Sequence, residues 1–401
     1  MRDVVNAPYW KKGTGFWLLS PVLFWVSLVW AFVAWFRRRR GYAAFPVSGN
    51  STGAFPRVIC IGNVIVGGTG KSPLVRAVAQ SYLNDGFFVG IVARGIGESP
   101  VVGAACSPVM KGIAEAGFFK VICQRDLSDE NREHFEFLKM QCPGVAFVVF
   151  QGANRSAALR AFAALAAARG VEPNRAIVLL DDGLQHFAAP RHCNACVWDP
   201  ELVAQSPAMC LPVGPYREGV GSLFRSLLAG FDVRLWSRCR PENLRSFSSS
   251  VAAALSRHKL STDHTRDFIA VGEQCFFVAQ PAEGSLSELP DGLPIFNNEK
   301  TVLCVSGLAN GKRFVHELGN RFSAVVFEHV ELADHAALSE CAVERLRAAK
   351  SVVLSAKDYF RWCDHAAFQQ SVENKPVVVV SVHVNLFSLD GVPVLPCQVF
   401  S

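Results

Sequence analysis

The sequence predicts an α/β chain: a P-loop NTPase-type lobe with a parallel sheet, a second smaller α/β lobe, and an N-terminal membrane-anchoring helix. Three observations carry this. An apolar, strand-like run ending at Val66 feeds a glycine-rich turn that closes on Thr69-Gly70-Lys71-Ser72. Strand-like and helix-like segments alternate on both sides of a weakly patterned middle, as parallel sheets covered by helices require. Residues 16–36 carry no charge at all.

The N-terminus explains the charge of the whole chain. Of 401 residues and a net charge of +6, residues 1–40 hold seven basic side chains and one acid, leaving the remainder balanced. A basic excess confined to one end fits a membrane surface and gives no reason to expect nucleic acid. The uncharged stretch from Phe16 to Phe36 would reach about 31 Å as a helix, the depth of a bilayer core. Trp17 and Trp35 suit its interfacial ends, and Arg37 to Arg40 follow, which keeps that end cytoplasmic. The basic cluster lies after the apolar run, so a retained anchor is expected in place of a cleaved leader. Pro21 leaves open whether the helix spans the bilayer or lies in one leaflet.

Residues 41–56 read as a linker. The strand predicted over 57–66 then leads into the loop Val66-Gly67-Gly68-Thr69-Gly70-Lys71-Ser72 and a helix over 72–84. Glycines let main-chain N–H groups face phosphate oxygens, Lys71 reaches the β/γ-phosphates, and the Ser72 hydroxyl binds Mg²⁺. Ile65 stands where the strict pattern has its first glycine. Strands follow at 87–93, 145–150 and 176–180, with an Ala-rich helix at 154–169. The run Ile177-Val178-Leu179-Leu180 ends in Asp181 and Asp182, the second half of a P-loop site: a buried strand delivers a carboxylate, Asp181, to Mg²⁺, and Asp182 supports it. Residues 98–128 show no firm pattern. Residues 241–300 read as a connector with short antiparallel strands, and a second α/β unit occupies 301–401, so the domains expected are 1–40, 41–240, 241–300 and 301–401.

Thirteen cysteines, an odd number scattered through apolar runs, suit a reducing compartment more than a disulfide framework. Cys193-Asn-Ala-Cys196 has metal-ligand spacing but no second pair to complete a zinc site.

Several stretches together resemble one family, the tetraacyldisaccharide 4′-kinases of lipid A synthesis. They are Val66-Gly-Gly-Thr-Gly-Lys-Ser-Pro73, Arg94-Gly-Ile-Gly97, Asp181-Asp-Gly-Leu-Gln-His186, Leu211-Pro-Val-Gly-Pro-Tyr-Arg-Glu218, Ser306-Gly-Leu-Ala-Asn310 and Leu332-Ala-Asp-His335. The resemblance implies a lipid sugar kinase. ATP and Mg²⁺ would phosphorylate the 4′-hydroxyl of an acylated glucosamine disaccharide 1-phosphate, at the cytoplasmic face of a bacterial inner membrane. A phospholipid bilayer is an expected partner and no obligate protein partner is implied. It further implies an Asp–His pair for proton removal, here Asp129 in Ser128-Asp-Glu-Asn131 and His335, working with Lys71. Arg94, Arg155, Gln185, His186, Arg217 and Glu218 match positions that contact phosphate or lipid headgroup. The sequence departs from the family where Ser355-Ala-Lys-Asp358 replaces T-E-K-D and where Ser128-Asp-Glu-Asn131 lacks the Gly and Pro of a G-D-E-P motif. The alternative from another class is a nucleotide-switched membrane ATPase or GTPase that recruits a partner.

Overall fold

The computed structural model describes residues 20–41, 55–66, 68–94, 102–105, 120–123, 126–205, 209–218, 231–258, 265–280, 285–289, 299–308, 310–334 and 336–400. The chain divides into two compact units that alternate along the sequence. The first holds Met1–Val121, Val145–Glu273 and Val384–Ser401; the second holds Ile122–Gly144 and Gln274–His383.

In the first unit, α1 (Ser20–Arg39) precedes β1 (Arg57–Gly62), α2 (Lys71–Asn84), β2 (Phe88–Ala93), β3 (Val102–Ala105) and β4 (Lys120–Val121). After α3 (Asp129–Gln141), which belongs to the second unit, come β5 (Phe147–Gln151), α4 (Arg155–Ala168), β6 (Ala176–Asp181), β7 (Cys193–Trp198), α5 (Pro200–Gln205), β8 (Val233–Cys239), α6 (Leu244–His258) and the first part of β9 (Arg266–Gln280). The second unit continues with the rest of β9, then β10 (Ser285–Glu288), β11 (Thr301–Ser306), α7 (Gly311–Arg321), β12 (Val326–Glu331), α8 (Glu340–Ala348), β13 (Val352–Ser355), α9 (Ala356–Trp362), α10 (Ala366–Val372) and the first part of β14 (Val377–Ser388). The short β15 (Pro393–Val394) and α11 (Pro396–Val399) close the first unit.

The first unit's strands run in the order β9-β8-β7-β1-β6-β2-β5-β3-β4. All neighbours from β9 to β5 are parallel, and β3 is antiparallel to β5. Parallel strands are buried on both faces, which is why Val58 to Ile61 and Ile177 to Leu180 are continuous apolar runs with at most 1% exposure. Burial of each branched side chain in these runs contributes about 1.5–3 kcal/mol. One consequence of the order matters for function: β1 and β6 are neighbours, with Ile61 opposite Asp181. The carboxyl ends of adjacent parallel strands are where open α/β sheets place their ligands. In the second unit, β12, β11, β13 and β14 form a parallel set, and β9 pairs antiparallel with β10.

The middle of the chain is more ordered than its pattern suggests. The Ser-rich stretch after 240 forms α6 because Leu244, Phe247, Val251, Ala254 and Leu255 recur at helical spacing; Val251 and Ala254 are fully buried in the first unit's core. Strands β7 and β8 fall in runs broken by polar residues, which hid them from a periodicity reading. Cys193 and Cys196 sit three apart on β7, so they point to opposite faces of the strand. The described cysteines are free thiols.

Helix α1 packs one side on the first unit. Ala31 is buried, and the Ser27 hydroxyl donates to the Cys210 carbonyl at 2.9 Å. Its other side leaves Val22, Trp25, Val29, Phe32, Val33 and Phe36 exposed. Among the described residues, no helix is long and apolar enough to cross a membrane. Residues 16–19 of the uncharged stretch lie outside the described residues.

Candidate active site

The strand predicted over 57–66 stops at Gly62 because the chain changes partners. Ile65 bridges Tyr216 in antiparallel fashion, Val66 N donates to Pro215 O at 2.9 Å, and Arg217 N donates to Val64 O at 2.7 Å. The ascending arm of the P-loop is therefore stitched to the Leu211–Glu218 segment. This explains the missing first glycine: Ile65 is fully buried in the core and takes no part in the turn. Inside the loop the Asn63 side-chain amide donates to Thr69 Oγ1 at 2.9 Å, tying its two ends. Gly70 caps α2 with φ of 76°, a left-handed geometry that a Cβ would oppose. Lys71 and Ser72 follow as the first residues of α2, so the loop empties onto a helix N-terminus, a natural anion site. Val66, Gly68 and Gly70 are exposed, and Thr69 is buried. Gly67 lies outside the described residues.

The second arm arrives on β6. Asp182 N donates to Ile61 O at 2.9 Å, so the Asp181-Asp182 turn is pinned to the strand that carries the P-loop. Gly183 sits so close to β1 that a Cβ there would lie 2.8 Å from Cys60 Sγ. Asp182 has φ of 49°, a strained value for a non-glycine residue. Its carboxylate meets two cations and its carbonyl a third. Lys71 Nζ is 3.8 Å from Oδ1, and Arg217 Nη1 donates to both carboxylate oxygens at 3.1 and 3.0 Å. Arg155 Nη1 donates to the Asp182 carbonyl at 2.8 Å. Burial alone would raise the Asp182 carboxyl; Lys71, then Arg217 and Arg155, outweigh it and hold it below the usual range. The buried Asp181 carboxylate at the end of β6 and the hydroxyl of Ser72, the second residue of α2, are hard oxygen ligands beside the loop. One or two such ligands completed by phosphate oxygens and water is the set Mg²⁺ prefers. Among the described residues no cluster of three or more His, Cys, Asp or Glu could hold a metal ion by itself.

The remaining motif residues form the wall behind this centre. Glu218 is buried, receives a bidentate pair from Arg38 of α1 (2.6 and 2.9 Å), and accepts from Gln185 Nε2 at 3.0 Å. Gln185 Oε1 in turn accepts from Arg217 at 3.3 Å. An unbroken polar chain thus runs from α1 to Lys71 through Glu218, Gln185, Arg217 and Asp182. Arg155 is buried, so it faces the Asp181-Asp182 turn and not open solvent. His186 is half-buried; burial first, then the charges of Arg155, Arg191 and Arg94, push its imidazole down to about 4. It is neutral at physiological pH and would meet an anion as a hydrogen-bond donor, not as a cation. Arg94 is exposed at the end of β2.

Asp129 belongs to the second unit. It opens α3, where Asp129 and Glu130 complement the positive end of the helix dipole. Its Oδ1 accepts from Glu130 N at 2.9 Å, and its Oδ2 accepts from Arg361 Nη2 at 2.8 Å and Nε at 3.1 Å. Burial alone would raise this carboxyl, but the Arg361 fork and the Lys357 charge hold it below the usual range. Lys357 pairs with Glu130 at 2.8 Å. In the departed motif Ser355-Ala-Lys-Asp358, Ser355 caps α9: its Oγ accepts from Asp358 N at 3.1 Å and donates to Asp358 Oδ2 at 2.7 Å. Arg361 also donates to Asp358, at 2.8 Å. His335 lies outside the described residues. The helix after Asp334 begins at Glu340 and is capped by Ser339.

Three cations near these centres escaped the sequence reading: Arg38, Arg238 and Arg361. Arg38 was visible only as one of a basic run, Arg361 follows the altered motif by three residues, and Arg238 carries no motif at all.

Comparison with known proteins bears on this arrangement. The model of the family described as Tetraacyldisaccharide-1-P 4'-kinase matches residues 17–117 and 137–392, leaving out the stretch with Asp129. A tetraacyldisaccharide 4'-kinase of Verminephrobacter eiseniae is 33% identical over 215 residues, 53% of this chain and 43% of the relative. Those of Hydrogenovibrio crunogenus and Hahella chejuensis align more fully. The first is 23% identical over 347 residues, covering 86% of this chain and 87% of the relative. The second is 24% identical over 354 residues, covering 80% and 94%. Among solved structures, a crystal structure of LpxK from Aquifex aeolicus in complex with ATP has the same fold, with a TM-score of 0.57 and 19% identity over 92% of this chain and 95% of that one.

Proposed function

Because this chain belongs to the tetraacyldisaccharide-1-P 4'-kinase family, it is a kinase, and we propose that it transfers the γ-phosphate of ATP to the 4′-hydroxyl of an acylated glucosamine disaccharide 1-phosphate in lipid A synthesis. The observation that carries this reading is the convergence of three motif stretches on one carboxylate: Lys71 from the P-loop and Arg217 from the Leu211–Glu218 segment both reach Asp182. The alternative of a nucleotide-switched ATPase or GTPase is not favoured by this family membership.

In the reaction the sugar oxygen forms a bond to the γ-phosphorus as the bond to the bridging oxygen of ADP breaks. Main-chain amides of the loop from Gly67, Gly68, Thr69, Gly70 and Ser72 bind the phosphates, Val66 opens that loop with its own N–H held by the Pro215 carbonyl, and Lys71 neutralises charge on the phosphates. Ser72 and Asp181 would hold Mg²⁺, with Asp182 in support; the ion, when bound, draws charge from the phosphate oxygens. Asp129 receives the hydroxyl proton, with His335 as its partner. Held low by Arg361, Asp129 is ionised across neutral pH and is a weak base, which suffices where the transition state is loose and the proton moves late. Arg94 and Arg217 contact the substrate's phosphate groups, and His186 and Gln185 donate hydrogen bonds. Arg155 and Glu218 act one step back, as braces of the Asp182 turn and of Arg38.

We assign nucleotide handling to the parts of 41–240 that lie in the first unit and the base to the stretches around 129 and 335; the expected connector 241–300 belongs to the first unit as far as Glu273, and the expected lobe 301–401 returns to the first unit from Val384. The exposed apolar side of α1 seats the kinase on the inner membrane, and the exposed Arg37, Arg39 and Arg40 at its end favour the cytoplasmic leaflet and its anionic lipids, while Arg38 is held by Glu218. Such seating raises the local concentration of an amphipathic substrate. The test is direct. Protein purified in detergent should move labelled phosphate from ATP to the tetraacyl disaccharide 1-phosphate, and full transfer by Lys71→Ala would contradict the reading.

A further inference from the structure

Strand β8 breaks its own regularity near the P-loop. Its register with β9 slips between Trp236 and Cys239, and Arg238, inside the slip, has φ of 66°. An arginine pays for a left-handed backbone in steric strain, and such bulges commonly re-aim a side chain beside an active site. The side chain is aimed at the loop. Its Nη2 donates to the Gly68 carbonyl, at the crest of the P-loop three residues before Lys71. Its Nε pairs with Asp199 Oδ2 at 3.2 Å. Asp199 is buried and fixed in place by accepting from Glu201 N at 3.1 Å. Arg238 itself is about one-third exposed, at 31%. The arrangement is a guanidinium on a rigid acidic pivot, partly open to solvent, resting on the rim where the β/γ-phosphates of a nucleotide go.

We propose that Arg238 is a second cation of the nucleotide site. From its place on the Gly68 carbonyl it turns about Asp199 to fork onto the γ-phosphate of bound ATP. Arginine suits this better than lysine, because its planar fork can keep one edge on Asp199 while offering another to phosphate. No bond of Arg238 is made or broken in the transfer. It offsets charge on the moving phosphoryl group, as an arginine supplied in cis does in other phosphoryl-transfer enzymes. This inference rests on the ATP-binding reading of the P-loop and extends it to a residue outside every motif.

The experiment compares Mg–ATP and Mg–ADP binding, read with fluorescent analogues, and kcat for transfer, in full-length wild type, Arg238→Ala and Arg238→Lys. If Arg238 meets the γ-phosphate, Arg238→Ala weakens ATP binding roughly tenfold, leaves ADP binding within about twofold, and lowers kcat by about 10²–10³-fold. Arg238→Lys, which keeps the charge and supplies the comparison if the alanine variant does not fold, recovers part of the ATP preference. Equal weakening of ATP and ADP would make Arg238 a mere staple of the loop and overturn the proposal, as would a kcat within threefold of wild type. The binding arms need no lipid acceptor, so they fail separately from the acceptor assignment.

Discussion

Two carboxylates, Asp182 in the first unit and Asp129 in the second, share an electrostatic state and reach it differently. Both are held below the usual range against the pull of burial. Asp182 is restrained by residues that are themselves motif members, Lys71 and Arg217, and it sits on a strained backbone. Asp129 sits on a relaxed helix start and owes its state to Arg361, 232 residues away in the chain. A site whose supports lie within its own motifs announces itself in a sequence. A site supported from afar does not.

The contrast can be broken most forcefully at the P-loop. Lys71→Ala should reduce kinase activity by at least about 10³-fold with little loss of thermal stability, because Lys71 meets both phosphate and Asp182. A folded, active variant would remove the first unit's centre from the chemistry. Asp129→Asn comes next. Loss of a general base should lower kcat by about 10²–10⁴-fold while KM for ATP stays within threefold; steady-state kinetics with the lipid acceptor decide it. Arg361→Gln sharpens the comparison. Removing the fork lets burial raise the Asp129 carboxyl, so the acidic limb of the pH–rate profile should move to higher pH. An unmoved limb would dissociate Asp129 from that titration.

The smallest effect concerns His186. Its folded value near 4 lies below the 6.5 of an unfolded histidine, so the unfolded chain binds more protons between those values. The stabilisation is complete above pH 6.5 and is lost as pH falls toward 4. Discounted for its partial exposure, it is on the order of 1 kcal/mol. Chemical denaturation of wild type and His186→Gln across that range should show the slope in the first and a flatter line in the second.

Legibility in the sequence followed the same divide. The P-loop strand, α2, α4 and β6 were readable because continuous buried runs and glycine signals mark them. The meeting of the loop and the Asp181-Asp182 turn at the ends of β1 and β6 was legible because each half of the candidate site lies next to the apolar run that positions it. The apolar run Val64-Ile65-Val66 predicts more strand; Val64 and Ile65 are buried and Val66 is exposed, but the hydrogen bonds of this run go to 215–217 instead of onward along the sheet. Helix α6 was hidden by serines that mask its apolar stripe, and β7 and β8 by polar interruptions. The Arg38–Glu218 pair and the Asp129–Arg361 pair join positions 180 and 232 residues apart, a distance over which composition and spacing carry no information. Arg238 could be found only from its backbone angle and its reach.

The bridge that sets Ile65 opposite Tyr216 has a reach beyond this chain. Where a neighbouring segment clasps one limb of a phosphate cradle, the cradle no longer requires its leading glycine, and a bulky side chain can serve as a hinge pin. Searches that insist on that glycine will pass over kinases built this way, whereas a search that pairs Gly-Lys-Ser with a downstream Gly-Pro-Tyr-Arg-Glu would retrieve them.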